Sequence, residues 1–335
     1  MKVALLFNEK TKTDEAGLPD DTFEEYDDPA TICRIAGALR GLGVTVEAVP
    51  ADRCLPWRLE EGGFDFAFNI AEGPVTLQGR ARRCREMLAA SVCDLSGIPF
   101  TGSDALTLGL SLDKALARRV LSPEVPVAPA VLLEDEPWDA LLSGLRFPVI
   151  VKPNDEGSSK GIHVDSLAVD RHAAIAAARR LREAYGCPIL VEEFLPGAEV
   201  TVALAGNPPH VRLLGIMEIA PVCSGASFVY DLETKRDFRR RVVYHVPPRL
   251  NAPVMAAIEN HARSAYRLLG CRDIARMDFR LSESGQPYFL ECNPLPGLNP
   301  ETSDLAILTA GTLPYDHLVQ GILLSALERT GGSLR

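Results

Sequence analysis

Arg276-Met277-Asp278-Phe279 and Leu290-Glu291-Cys292-Asn293 flank a turn-like run, Ser282-Glu283-Ser284-Gly285-Gln286. Both flanks alternate apolar and polar residues, the two-residue period of half-buried strands, so the segment reads as a β-hairpin. Pairing Leu281 with Tyr288 sets Asp278 opposite Glu291 and Arg276 opposite Asn293, with all four polar side chains on one face. The other face then carries Ala275, Met277, Phe279, Leu281, Leu290 and Cys292, an apolar set suited to a core. Directly opposed residues place two carboxylates about 5 Å apart, an arrangement that calls for a cation between them. Two readings are open at this point. Two carboxylates and an amide oxygen suit magnesium, a hard ion bound through oxygen; alternatively, Arg276 neutralises Asp278 and Glu291 on a solvated face.

Working outward, the 335 residues allow two or three domains, and 47% hydrophobic with 24% charged residues is the balance of a globular protein. The net charge of −10 excludes nucleic acid as a partner, since the densest basic run is only Arg239-Arg240-Arg241. No run approaches twenty apolar residues and the chain opens into a strand-like Lys2 to Phe7, so neither a membrane span nor a signal peptide is expected. The eight cysteines show no C-x-x-C pair or zinc spacing and read as reduced, mostly buried thiols of a cytoplasmic protein.

The first hundred residues alternate strand and helix patterns: Val3 to Phe7, a helix from Ala30 to Gly41, Val44 to Val49, Phe64 to Ile70 and a helix from Gln78 to Ser96. This predicts a parallel α/β domain over 1–104. The acidic run Asp20 to Asp28 reads as a solvated loop, with contact to a substrate as the alternative. Gly41-Leu42-Gly43 lies between helix and strand and lacks the dinucleotide pattern, so it is a helix cap. A second unit, 105–196, carries two helical patterns, the break at Pro123 to Pro126 and a strand Phe147 to Lys152. A glycine-serine loop Asn154 to Gly161, a strand Ile162 to Asp165, the helix Arg171 to Tyr185 and a strand Ile189 to Phe194 complete it. The third, 197–335, holds further strands, a helix Pro253 to Gly270, the hairpin and terminal helices after Glu301.

Small residues and free amides in Asn154 to Gly161 suit a loop that closes over phosphates, although no Walker A pattern occurs. Lys152, at the end of Phe147-Pro148-Val149-Ile150-Val151, fixes a cation just before that loop, and Lys114 is a second candidate on a helix. The strand through Glu192, Glu193 and Leu195 offers backbone groups to an adenine edge.

These features in this order resemble the ATP-grasp superfamily, and in detail the D-alanine–D-alanine ligase family. The resemblance runs from about Phe66 to Leu318. It rests on Phe100-Thr101-Gly102-Ser103, Leu112-Asp113-Lys114, Val149 to Pro153 with Glu156-Gly157-Ser158-Ser159, and Glu192-Glu193-Phe194-Leu195 with Gly197 and Glu199. It continues through Phe228-Val229-Tyr230-Asp231 with Lys235, then Arg276-Met277-Asp278 and Glu291-Cys292-Asn293 with Pro296-Gly297. It implies an α/β (α+β ATP-grasp) fold: a parallel α/β domain and two α+β subdomains that clasp ATP.

The resemblance also implies roles. Lys114 and Lys152 hold nucleotide phosphates, with Glu156, Gly157, Ser158 and Ser159 in the covering loop. Glu192, Glu193, Leu195 and Glu199 face adenine and ribose, and Lys235 reaches the γ-phosphate. Asp278, Glu291 and Asn293 bind two magnesium ions, with manganese as the alternative metal. Arg276 stabilises charge at the reacting carboxyl carbon, and Ser158 helps to order the site. The implied reaction forms an acyl phosphate from a carboxylate and passes it to an amine, and both substrates are small molecules of the amino-acid class. A homodimer is implied as well.

The amino-acid half departs from the family pattern. Strand one runs into Asn8-Glu9-Lys10, leaving Glu9 and Glu15 as the candidates for gripping an ammonium group. Asn69-Ile70-Ala71-Glu72-Gly73 replaces a family histidine, and Glu72 is either a contact to a cationic amine or a surface residue. Arg236 stands where the family has tyrosine, and Tyr230, Gly297 and Thr302 complete the substrate candidates. An ATP-grasp kinase or carboxylase, or a nucleotide-binding module without turnover, would use much of the same set. Agreement at Arg276 and Pro296-Gly297 favours the ligase.

Overall fold

The computed structural model describes residues 1–10, 19–74, 83–223 and 228–334. Among the described residues the strands form three sheets. The first is parallel, in the order β2-β1-β3, from β1 (Lys2–Phe7), β2 (Thr45–Pro50) and β3 (Phe66–Asn69). β1 is a near-continuous apolar run because both of its faces are covered. The helix Pro29–Arg40 starts at Asp28, whose carboxylate accepts the Thr31 N–H, and places Ile32, Ile35 and Leu39 in the core. That core also takes Leu318, Val319 and Ile322 from the helix Tyr315–Thr330, so the end of the chain packs on its beginning.

The second sheet is antiparallel, β4-β7-β5-β6, from β4 (Ala130–Leu133), β5 (Val149–Pro153), β6 (Leu167–Ala168) and β7 (Ile189–Glu193). The helix Arg171–Tyr185 covers it with Ala174, Ala177, Ala178 and Leu181. The expected strand Ile162 to Asp165 is not formed: Val164–Ser166 is a 3₁₀ turn, and only Leu167–Ala168 pairs with β5. The helix expected from Gln78 is seen over Met87–Ser96; residues 78–82 lie outside the described residues.

The third sheet is antiparallel, β10-β9-β8-β11-β12, from β8 (Glu199–Ala205), β9 (Arg212–Pro221), β10 (Val242–His245), β11 (Ile274–Leu281) and β12 (Pro287–Asn293). The helix Ala252–Leu269 covers one face. In the hairpin, Asp278 pairs with Glu291 and Arg276 with Asn293, as the alternation predicts. Beyond Asp278 the register slips by one: Phe279 faces Phe289 and Leu281 faces Pro287 rather than Tyr288. Leu290 is the extra residue of a β-bulge. It therefore leaves the apolar face expected for it and lines a cavity, while Phe279 and Phe289 meet edge to face in the core.

All eight cysteines are free. Only Cys93, Cys271 and Cys292 are buried, and Cys33, Cys84 and Cys223 are exposed, which corrects the expectation of mostly buried thiols. Among the described residues no helix is long and apolar enough to cross a membrane.

Candidate active site

Two cavities meet at the open side of the second and third sheets. One, of about 100 Å³, lies between the loop after β5 and the strands β7, β8, β11 and β12. It gathers most of the residues expected to meet nucleotide: Lys114, Lys152, Glu156, Ser158, Ser159, Glu192, Glu193, Leu195, Glu199 and Lys235, with Tyr230, Arg276, Asp278 and Glu291. The other, of about 260 Å³, opens toward the first sheet and takes in Glu72, Gly157, Asn293, Gly297 and Thr302. Lys114, Ser158, Lys235, Arg276, Glu291 and Asp304 line both.

Buried charge in the first cavity is paired throughout. Lys152 Nζ lies 2.5 Å from Glu192 Oε1, and Arg118 Nη1 lies 2.7 Å from Glu192 Oε2. Burial would raise the Glu192 carboxyl, but Lys152 and Arg118 hold it below its ordinary range. Arg280 pairs with Glu199 at 2.9 Å and donates to the Leu195 carbonyl at 2.5 Å. Burial still dominates at Glu199 and raises its carboxyl to about 7. Glu193 lines the cavity, yet its carboxylate is taken by Arg146 at 2.8 Å. Tyr230 bonds the Tyr244 hydroxyl at 2.8 Å.

At the junction, Lys114 sits at the first turn of the helix Lys114–Leu121, capped by Asp113, and its Nζ is 3.2 Å from Glu291. Burial would raise Glu291, but Lys114, Lys152 and Arg276 bring it to about 2. Asp278 is raised by burial, against Arg276, with Glu291 adding like charge. Arg276 pairs with Asp278 at 2.9 Å and with Asp304 at 2.9 Å, so the neutralising contact open to it in the sequence is made. Thr201 and Asn293 also donate to Asp278. The donor set fits magnesium: Asp278, directly opposite Glu291 across the hairpin, and Asn293 beside them offer hard oxygen donors.

The acidic run Asp20 to Asp28 is not a solvated loop. Asp21 is fully buried and accepts the Gly161 N–H at 3.0 Å and the Tyr185 hydroxyl at 2.6 Å. Glu25 pairs with Arg85 at 2.8 Å and Lys160 at 2.7 Å. The run is a strap laid across the glycine-serine loop. A Cβ on Gly157 would meet Glu25 Oε1 at 2.3 Å, so this glycine is needed for the approach of the strap. Ser158 and Ser159 both take positive φ, and Ser159 Oγ ties the loop to the Tyr230 carbonyl at 3.0 Å.

Two substrate candidates fall elsewhere. Glu9 is exposed and lines neither cavity; its backbone bridges Asp27. Arg236 is held by Asp20 at 2.8 Å and Glu24 at 2.9 Å, so it fastens the strap and lines neither cavity. Glu15 lies outside the described residues. The sequence reading missed Asp21, Glu25, Arg85, Glu86, Arg118, Arg280 and Asp304. Asp304 alone carried a local signal, as it follows the helix cap Ser303.

The family described as D-ala D-ala ligase C-terminus matches residues 125–324. The D-alanine–D-alanine ligase of Polaromonas naphthalenivorans is 33% identical over 302 residues, which cover 88% of this chain and 87% of that protein. The chain belongs to the D-alanine–D-alanine ligase family. Another D-alanine–D-alanine ligase, from Geobacter sulfurreducens, is 32% identical over 287 residues, covering 84% of each chain. The fold is shared with the D-alanine–D-alanine ligase of Bacillus anthracis complexed with ATP, at a TM-score of 0.73 and 19% identity over 99% of both chains. The VanG D-Ala:D-Ser ligase of Enterococcus faecalis gives 0.70 and 18%, over 97% of this chain and 99% of that one. The expected α/β ATP-grasp architecture is the one observed, and this member of the D-alanine–D-alanine ligase family is an ATP-dependent carboxylate–amine ligase.

Proposed function

We propose that the chain joins the carboxylate of one amino acid to the amine of a second through an acyl phosphate. A carboxylate oxygen attacks the γ-phosphorus of ATP and releases ADP. The amine nitrogen then attacks the acyl carbon, phosphate leaves with the electron pair of the broken C–O bond, and the amine loses a proton. The observation that carries this reading is the shared lining of the two cavities: Lys114, Ser158, Lys235 and Arg276 face both, where a phosphoryl donor and a carboxylate acceptor must meet.

In this reading Lys114 and Lys152 hold the phosphates and Lys235 the γ-phosphoryl group. Glu192 and Glu199, with the backbone through Leu195, frame adenine and ribose. Arg276 donates to the oxyanion that forms at the acyl carbon, with the amide of Gly297 on the substrate side. Asp278, Glu291 and Asn293 would hold magnesium, two ions on the family pattern, which would offset the charge of the phosphates. The substrate loop at Gly297 and Thr302, with Glu72, bounds the space for the amino acids. We further place the enzyme in the cytoplasm as a homodimer, with domains 1–104, 105–196 and 197–335, the last lending its terminal helix to the core of the first.

Purified enzyme assayed for ADP release against pairs of amino acids tests the reading. The expected product has the summed mass of its two substrates less one water. A phosphorylated or carboxylated product would replace the ligase with a kinase or a carboxylase.

A further inference from the structure

The second cavity carries more negative charge than a single substrate ammonium group requires. Glu25, Glu72 and Glu86 come from the strap, the loop after β3 and the turn before Met87, yet they bring carboxylate oxygens within 4.8 Å of one another. Asp27 and Glu156 act on the same groups. Two cations, Arg85 and Lys160, make ion pairs within this group, and Lys114 acts on Glu86 without pairing with it. Arg85 pairs with Glu25 at 2.8 Å and reaches Glu156 at 3.5 Å, and Lys160 pairs with Glu25 at 2.7 Å and also with Glu156.

Glu25 and Glu156 thus absorb both cations. Glu86 is 8% exposed, makes no hydrogen bond among the described residues, and has Arg85 no nearer than 3.7 Å. Glu72 and Asp27 have no side-chain ion pair among the described residues, and all three line the cavity. Burial and like charge push Glu72 well above the usual carboxylate range and Glu86 to about 7, while burial and Asp28 raise Asp27 to about 7. On the far wall Ser111 is 3% exposed, and its Oγ, beside the Cys292 sulfur, has no nitrogen or oxygen partner. A buried hydroxyl that meets only a thiol and a carboxylate that makes no hydrogen bond among the described residues both face the same space, which is what a bound polar ligand would satisfy.

We infer that one of the two amino acids joined here is basic, and that Glu72 and Glu86 hold its side-chain ammonium group. The inference rests on the ligase reading, because contact with the phosphate cavity is what makes the occupant of this space a substrate. Oxygens gathered within 4.8 Å of one another can take an ammonium group, whose charge-assisted hydrogen bonds of about 2.8 Å in a tetrahedral arrangement set acceptors about 4.6 Å apart. Glu25 is already bound by a guanidinium and an ammonium, and these repel a divalent ion about twice as strongly as a monovalent one.

The test is calorimetric titration of the full chain, with magnesium and a non-hydrolysable ATP analogue, by lysine, ornithine, alanine and serine in both enantiomers. Lysine or ornithine is expected to bind at least about tenfold tighter than alanine. Glu72→Gln and Glu86→Gln should each weaken the basic ligand about tenfold while the affinity for the ATP analogue, which reports folding, stays within about twofold. Equal binding of alanine, no binding of either basic amino acid, or manganese binding without nucleotide that Glu72→Gln abolishes would each overturn the inference. ADP release separates the two readings. Tight lysine binding without ADP release defeats the ligase and leaves the basic site standing; alanine dipeptide formation with no preference for lysine does the reverse.

Discussion

The carboxylate of Asp21 accepts the backbone N–H of Gly161 at 3.0 Å, so a residue near the start of the chain fixes the glycine-serine loop beside the first cavity. The same oxygen takes the Tyr185 hydroxyl. Asp21→Ala leaves both buried donors without a partner and is expected to cost about 2–4 kcal/mol in a urea unfolding curve. ATP affinity should fall with it, and an unchanged ATP KM would show that the strap does not support the loop.

Lys152 and Arg118 share Glu192. Lys152→Met removes the cation proposed to hold phosphate but leaves Glu192 paired with Arg118, so the protein should fold while its ATP KM rises about tenfold or more. Nucleotide titration and a thermal melt on the same sample separate the two effects.

Arg276 makes paired contacts to Asp278 and one to Asp304, a geometry that a lysine cannot copy. Arg276→Lys is expected to lower kcat by about 10²-fold or more while nucleotide affinity changes little. Steady-state ADP release beside equilibrium binding checks this split, and a loss confined to KM would count against a role at the acyl carbon.

Chelation of divalent ions should abolish ADP release, and Glu291→Gln should raise the magnesium concentration for half-maximal activity about tenfold or more. Magnesium titrations of both proteins give the comparison. Equal magnesium requirements would remove Glu291 from the ligand set.

Glu86 gives the ligand-free protein a pH dependence of known sign. Its carboxyl is raised to about 7 in the fold against an ordinary 4.5, with Glu25, Arg85, Lys114 and Lys160 as the charges around it. The folded state therefore holds the proton more tightly than the unfolded chain. The stabilisation is complete below about 4.5 and is lost as pH rises through 7, on the order of 3 kcal/mol. Glu291, held near 2, acts in the opposite sense only below its ordinary range and leaves this window alone. Thermal melts from pH 5 to 8 should show Tm falling with pH, and Glu86→Gln should flatten the fall. Glu199 and Asp27, also raised to about 7, and Glu72, raised well above its ordinary range, keep part of the slope.

The legible parts of this chain were those governed by local period. Alternation on the two flanks placed Asp278 against Glu291 because that pairing depends on nearby residues alone. The bulge at Leu290 left no such trace, as it is set by Phe289 turning into the core and bonding the Pro126 carbonyl. The strap was misread for a related reason. An acidic run reveals its own charge and not its partners, and Arg85, Lys160 and Arg236 lie 60 to 216 positions away from the residues they hold. Arg236 looked like a substrate contact for want of the same information. The lysines and acids expected around nucleotide were gathered into one cavity, whereas Glu9 lines neither cavity and it is Glu25, which the short-range pattern treated as surface, that lines the second.

The extra residue at Leu290 gives the hairpin a freedom that a regular ladder would lack. Glu291 and Asn293 take their phase from β11 at Asp278 and Arg276, on the near side of the bulge, while Ser282 to Gln286 lies on the far side. Length or sequence changes at the tip are then absorbed before they reach Asp278, Glu291 and Asn293. The turn is mechanically insulated from the chemistry, and it is the place where this strand pair can accept a tag, a label or an evolutionary insertion at least cost.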